Sequence, residues 1–137
     1  MSDATRPIDR SSIEVERLFA IAARDLGQAE MEALHLDTRY ALAYNAALQL
    51  ATVVLRLHGV RVRTQAFHAR TFAELKGRLP RDRQHFAEYF DRARRKRNIA
   101  AYEQANVASE AEVDDLIERV SAFQAWVKEQ VKQGKSE

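Results

Sequence analysis

Between Tyr40 and Leu55 the chain carries no charged side chain, and the rhythm of its residues is helical. A helix apolar on every side has to be covered on every side. Other helices must therefore surround this one, either at the centre of a bundle or at an interface between two copies. Asp37 is placed to cap it, and Gly59 supplies a C-terminal stop. Asn45 shares a line with Ala41, Leu48, Thr52 and Leu55, so it reads as a buried structural amide that needs partners.

The remaining chain has the same character, with only four glycines and two prolines to interrupt it. The expected fold is all-α, an up-and-down bundle of four to five helices. Ser11-Ser-Ile-Glu14 has the spacing of a capping box and opens a first helix through Val15, Leu18, Phe19, Ala22 and Leu26 to Gly27. A short helical turn is expected around Ala29 to Leu34. Residues 60–70 are too short and basic for a strand and read as a loop into a short third helix. Thr71-Phe-Ala-Glu74 fits a second capping box, with a start as early as Phe67 also open, and Leu79-Pro80 closes that element. A long helix from about Arg83 to Gln104 follows, then a loop around Asn106 to Ala108. A third capping box, Ser109-Glu-Ala-Glu112, begins a last helix with Val113, Leu116, Ile117, Val120, Phe123, Val127 and Val131 on one side. The domain reading is a flexible N-terminus over 1–10, one helical domain over 11–133 and a flexible tail over 134–137.

At 137 residues the chain has the length of one domain with a real core. The absence of cysteine excludes disulfides and thiolate metal sites. No apolar run reads as a membrane span, and the first residues lack the apolar centre of a signal peptide, so a cytoplasmic protein without membrane association is expected. The net charge of +2 conceals an asymmetry. Residues 1–55 carry 5 basic and 8 acidic side chains, residues 56–97 carry 13 and 4, and residues 98–137 carry 4 and 8, for net charges of −3, +9 and −4. A basic middle between acidic ends fits a footprint for phosphates or the packing of a basic helix between acidic ones.

The densest part of that basic segment is Arg94-Arg95-Lys96-Arg97-Asn98-Ile99-Ala100-Ala101-Tyr102. At 100° per residue, Phe86, Phe90, Ala93, Arg97 and Ala100 fall in one arc, which puts Arg97 on the face that should enter the core. Arg94, Asn98 and Tyr102 line one flank, while Arg92 and Lys96 point to solvent. A guanidinium on a core-facing stripe is costly unless it is paired, snorkels outward or lines a cleft. Glycine-rich phosphate loops, nucleophile elbows and paired metal-binding histidines are all absent from the sequence. His35, His58, His68 and His85 are scattered among the elements. No metal or cofactor is therefore expected. His68, beside Phe67 and Arg70 at the mouth of a basic loop, is the most noteworthy of the four.

Several of these segments together resemble the HEPN superfamily (higher eukaryotes and prokaryotes nucleotide-binding). They are Ala43-Tyr44-Asn45-Ala46 in the uncharged helix, His68-Ala-Arg-Thr-Phe in the basic loop, and Tyr89-Phe-Asp91 followed by Arg94-Arg-Lys-Arg97-Asn98 and Tyr102. The resemblance spans roughly residues 12–130 and rests most on the Arg-Asn pair after an aromatic helical turn. It implies a helical bundle that dimerises. In many members it also implies a metal-independent ribonuclease site at the dimer cleft, made by an arginine, a polar residue and a histidine four to six positions after the arginine. Arg97 and Asn98 match the first two positions and would hold the scissile phosphate. Tyr102 stands where the histidine would, and no histidine occurs from Asn98 to Glu137.

Some members are toxins whose antitoxin, a small nucleotidyltransferase, modifies a tyrosine two residues beyond that histidine; here that position holds Gln104. Three classes of function fit these residues. The first is a nucleotide- or RNA-binding HEPN protein, the toxin or effector of a bacterial toxin–antitoxin or defence module, working with a nucleotidyltransferase antitoxin. The second is a ribonuclease with Arg97, Asn98 and Tyr102 as its catalytic set. The third is a helical dimerisation module in which Arg97 is structural. In the first two, Arg94, Arg95, His68 and Arg70 grip nucleic acid, and Asp91, like Asn45, is a structural polar residue.

Overall fold

The computed structural model describes residues 7–63 and 66–135, with side chains from 12 to 134 apart from 64 and 65. The described residues form five α-helices and no strand: α1 (Pro7–Ala29), α2 (Leu36–Leu57), α3 (Phe67–Arg78), α4 (Gln84–Tyr102) and α5 (Glu110–Lys135), with a 3-10 turn at Arg81–Arg83 before α4. The helical start of α1 precedes Ser11 by several residues, so the expected box there lies inside the helix; residues 1–6 lie outside the described residues. Of the expected 134–137 tail, Gly134 and Lys135 belong to α5, and the last two residues lie outside the description.

The uncharged helix is the hub, with α1, α3, α4 and α5 all packed on α2. Ala43, Ala46, Ala47, Leu50, Ala51 and Val53 are completely buried along it. Its length and composition would suffice to cross a membrane, unlike the expectation above, but 67% of its most apolar window is buried within the bundle. Small alanines let the neighbouring helices approach closely. Larger side chains fill the spaces, with Phe72, Phe86, Phe90 and Phe123 meeting at ring-centroid distances of 5.1 to 6.3 Å. The last helix buries the expected stripe, with Val113, Leu116, Val120, Phe123 and Val127 fully covered and Ile117 and Val131 partly so.

Polar pairs fix how α1 lies on α2. Glu14 pairs with Arg56 near one end, while Arg39 donates from Nε to the Ala29 carbonyl at 2.7 Å near the other, so the two helices run antiparallel. Arg39 thereby satisfies a carbonyl at the end of α1 that has no partner within the helix. Asn45 is half-buried rather than buried, and its amide donates to Asp25, a carboxylate almost wholly covered on α1. Residues 30–35 form turns rather than the expected helical turn.

His35, not Asp37, caps α2: its Nδ1 accepts the Asp37 N–H at 3.0 Å. The proton of the neutral ring then sits on Nε2, which donates to Asn106 Oδ1 at 2.8 Å. Asp37 is thus free to serve a distant segment. Its carboxylate accepts the N–H groups of Asn106, Val107 and Ala108 at 2.7 to 3.0 Å, clamping the loop between α4 and α5. Asn106 holds φ 60°, which turns those amides onto one acceptor. Despite the burial that raises it, the Asp37 pKa is lowered by these backbone bonds.

Gly59, at φ 73°, ends α2 as expected. The chain then returns so that α3 begins beside the middle of α2. Because α3 starts at Phe67, Thr71 is interior to it and caps nothing; its hydroxyl is buried without a hydrogen-bond partner. The third capping box is formed in full, with the Ser109 N–H on Glu112 Oε1 at 2.9 Å and the Glu112 N–H on Ser109 Oγ at 3.1 Å.

Candidate functional site

The core-facing stripe of α4 consists of Phe86, Ala87, Phe90 and Ala93, and it ends there. Arg97, one turn further, leaves the core and is half-buried at its rim. Its guanidinium lies 5.9 Å from the centroid of the Tyr44 ring, and Nη1 donates to Asn98 Oδ1 at 3.2 Å. Among the described residues no carboxylate forms an ion pair with it. An ion-paired Arg97, one of the arrangements the sequence left open, is therefore not found among the described residues. Arg97 is instead a cation beside an aromatic ring, with one N–H on Asn98 and the rest of its guanidinium without an ion-pair partner.

Tyr44 lies in the centre of α2 and is 1% exposed. Its hydroxyl meets Nδ1 of His68, the second residue of α3, at 2.9 Å. Burial dominates in holding the Tyr44 pKa well above its ordinary value, with Arg97 and Arg94 pulling the other way, so the group stays a hydroxyl. Burial likewise leads in lowering the His68 pKa, reinforced by the charges of Arg97 and Arg94. His68 is held in place further by the edge of Phe67, 5.8 Å away. An imidazole that is neutral at neutral pH thus faces two guanidinium groups.

His68 and the two arginines border one cleft of about 390 Å³ between the start of α3 and the end of α4. His68, Arg94, Arg97, Asn98 and Tyr102 all line it, with Phe67 and Glu103 completing its edges. Tyr102 is 77% exposed at the rim. Arg94 donates from Nε to Asp91 at 2.8 Å, and Arg95 reaches the other oxygen of the same carboxylate at 2.8 Å. One acidic group therefore anchors two cations and leaves that cluster positive. Arg95 and Arg70 lie outside the lining of the cleft; Arg70 pairs with Glu74 at 3.5 Å. Lys96 does not point to solvent as expected but bonds Glu112 at 2.8 Å across to α5.

Convergence of His68 with Arg97 is a tertiary effect, since 29 positions separate them and the return of the chain after Gly59 brings them together. Tyr44 stood in the motif that carries the resemblance, yet its bond to His68 has no signal in the sequence. The other three histidines serve elsewhere: His35 caps α2, His58 follows its last turn, and His85 stacks 4.4 Å from Phe86. Among the described residues no three or more histidines, aspartates or glutamates are grouped as a metal site. What the cleft can do chemically is hold an anion on a guanidinium fork beside an amide and an imidazole. Comparison of the chain with protein-family models, curated proteins and solved structures gave no match.

Proposed function

We propose that the chain is a HEPN-like protein that binds the phosphate of a nucleotide or an RNA in the cleft between α3 and α4. The observation that carries this reading is Arg97: half-buried, without a carboxylate partner among the described residues, and opening onto the same space as Asn98, Arg94 and His68. A guanidinium without an ion-pair partner beside an amide suits a phosphate oxygen pair. The protein acts as a dimer, with the cleft near the interface. Exposed Ile99 and Tyr102 beside the cleft supply apolar surface for a second copy. Within a bacterial toxin–antitoxin or defence module it would be the toxin or effector, with a nucleotidyltransferase as its antitoxin partner.

Titration of fluorescently labelled RNA at two salt concentrations tests the binding. Affinity should weaken as salt rises, because phosphate contacts release counterions. Absent affinity, or affinity indifferent to salt, refutes the reading. Dimerisation is checked by light scattering of the purified protein.

A second reading, ribonuclease, is favoured by one observation: His68 supplies from α3 the imidazole missing after Arg97. In that reaction the 2′-oxygen attacks phosphorus and passes its proton to the base. The 5′-oxygen leaves and takes a proton from solvent, and a cyclic phosphate remains. Cleavage of a labelled RNA by the wild type but not by His68→Ala would support it; no cleavage by the wild type would end it.

A further inference from the structure

An internal phosphodiester would bring one negative charge to this cleft, while two guanidinium groups, Arg94 and Arg97, line it. A single guanidinium fork balances the charge of a diester. Here the Arg97 fork, the Asn98 amide and the His68 ring, on two different helices, all border the same space. A phosphate monoester offers three oxygens and a charge near −2, with a second pKa of about 6. Nδ1 of His68 is engaged by Tyr44, which leaves Nε2 for whatever occupies the cleft.

We propose, building on the phosphate-binding reading above, that the cleft takes a terminal phosphate monoester, of a free nucleotide or an RNA end, and that His68 takes up one proton as that group binds. The groups facing His68 are Tyr44 from α2, Arg94 and Arg97 from α4 with Asp91 behind Arg94, and Glu103 just beyond α4; on its own helix Arg70 is paired to Glu74. In the empty cleft, burial and the two guanidinium charges keep the ring neutral. The Tyr44 hydroxyl then donates to Nδ1, and Nε2–H faces the cleft. A dianion cancels the guanidinium field and adds an attractive partner for imidazolium. A solvent proton then binds Nδ1, Tyr44 turns from donor to acceptor, and Nε2–H stays on the phosphate. No bond to carbon or phosphorus changes.

The test is calorimetric titration at pH 7.4 in two buffers of different ionisation enthalpy, using the full chain. The probes are a nucleoside 5′-monophosphate, a 5′-phosphorylated trinucleotide and the same trinucleotide ending in hydroxyls. Both phosphate-ended probes should bind about tenfold or more tightly than the hydroxyl-ended one, as one charged hydrogen bond would give. Their apparent enthalpy should depend on the buffer in the sense of proton uptake. His68→Gln, which keeps a donor but does not titrate, should bind without uptake and with reduced preference. In wild type, NMR titration of the His68 ring should show its pKa rising when the monophosphate is present, which needs no variant to fold. Tight binding by only the trinucleotide would identify an RNA end as the source, and binding by both a phosphate group alone. If none of the three probes binds, the phosphate reading itself falls. Equal binding of the phosphate and hydroxyl ends, binding without uptake, or uptake that survives His68→Gln would overturn this inference and leave that reading standing.

Discussion

The hydroxyl of Tyr44, at the centre of the most buried helix, stands 2.9 Å from Nδ1 of His68 at the edge of an open cleft. One hydrogen bond thus joins the hub of the fold to its candidate site, and it fixes which face of the imidazole the solvent meets. Tyr44→Phe tests this directly. It removes the bond and should cost about 1 kcal/mol of stability, as a hydrogen bond of this kind does. The ring carbons remain, so packing against Phe72 at 5.9 Å is retained. Chemical denaturation measures the loss, and NMR of the His68 ring should show its tautomer preference change.

Arg97→Ala should abolish most anion binding while leaving the fold intact. The guanidinium makes no ion pair among the described residues, so the stability change should be limited to the ring contact and the bond to Asn98, about 0.5–1 kcal/mol. Binding, in contrast, should weaken by about tenfold to a hundredfold, the range for a charged hydrogen bond. Fluorescence anisotropy with labelled RNA beside a thermal melt separates the two effects. Arg97→Lys should recover only part of the affinity, because an ammonium keeps the charge and loses the fork.

Acid should loosen the loop after α4 before it unfolds the rest. The folded pKa of Asp37 lies below its unfolded value, so its stabilising contribution is complete above the unfolded value near 3.8 and is lost as pH falls through the lower, folded one. Glu14, paired with Arg56 and Arg61, and Glu112, bonded to Lys96 and Ser109, shift in the same direction and act in the same sense. Melting temperature should begin to fall below about pH 6.5, as the unfolded chain protonates His68 while the fold keeps it neutral, and more steeply below about pH 4. Asp37→Ala should lower stability at neutral pH by about 1–3 kcal/mol, and the plateau in melting temperature with it, since it strands the amides it holds. A plateau unmoved by that change would contradict the clamp.

Thr71→Val should stabilise the protein. Thr71 is fully buried, and its hydroxyl has no hydrogen-bond partner. Valine has nearly the same shape, so it removes a desolvated polar group without leaving a hole, for a gain of about 1 kcal/mol. A lower melting temperature for this variant would show that the hydroxyl has a role the packing does not reveal.

Where apolar period and local capping decide structure, the sequence was a good guide. The uncharged run from Tyr40 to Leu55 became the hub, Gly59 its stop, and the Ser109–Glu112 box formed with both of its bonds. Local spacing misled wherever a distant segment competed for the same group. Asp37 was drawn to amides about 70 positions away, and His35 took its capping role. Of the two starts the sequence left open for α3, the structure takes Phe67 and leaves the Thr71 box unused. Helical period alone put Arg97 in the core, because a period does not report where the covering helices end. Its nearness to Asn98 and Tyr102 was legible from a single helix, while the arrival of His68 depended on a loop whose course no local rule specifies.

The grip of Asp37 on Asn106, Val107 and Ala108 has a consequence in time as well as in space. Backbone amides in a surface loop ordinarily trade their hydrogens with water quickly, at a rate set by local fraying. These can do so only when the start of α2 lets go of them. In heavy water they should persist as a slow-exchanging island between two helix ends, released together with the first turn of α2 and ahead of its buried middle.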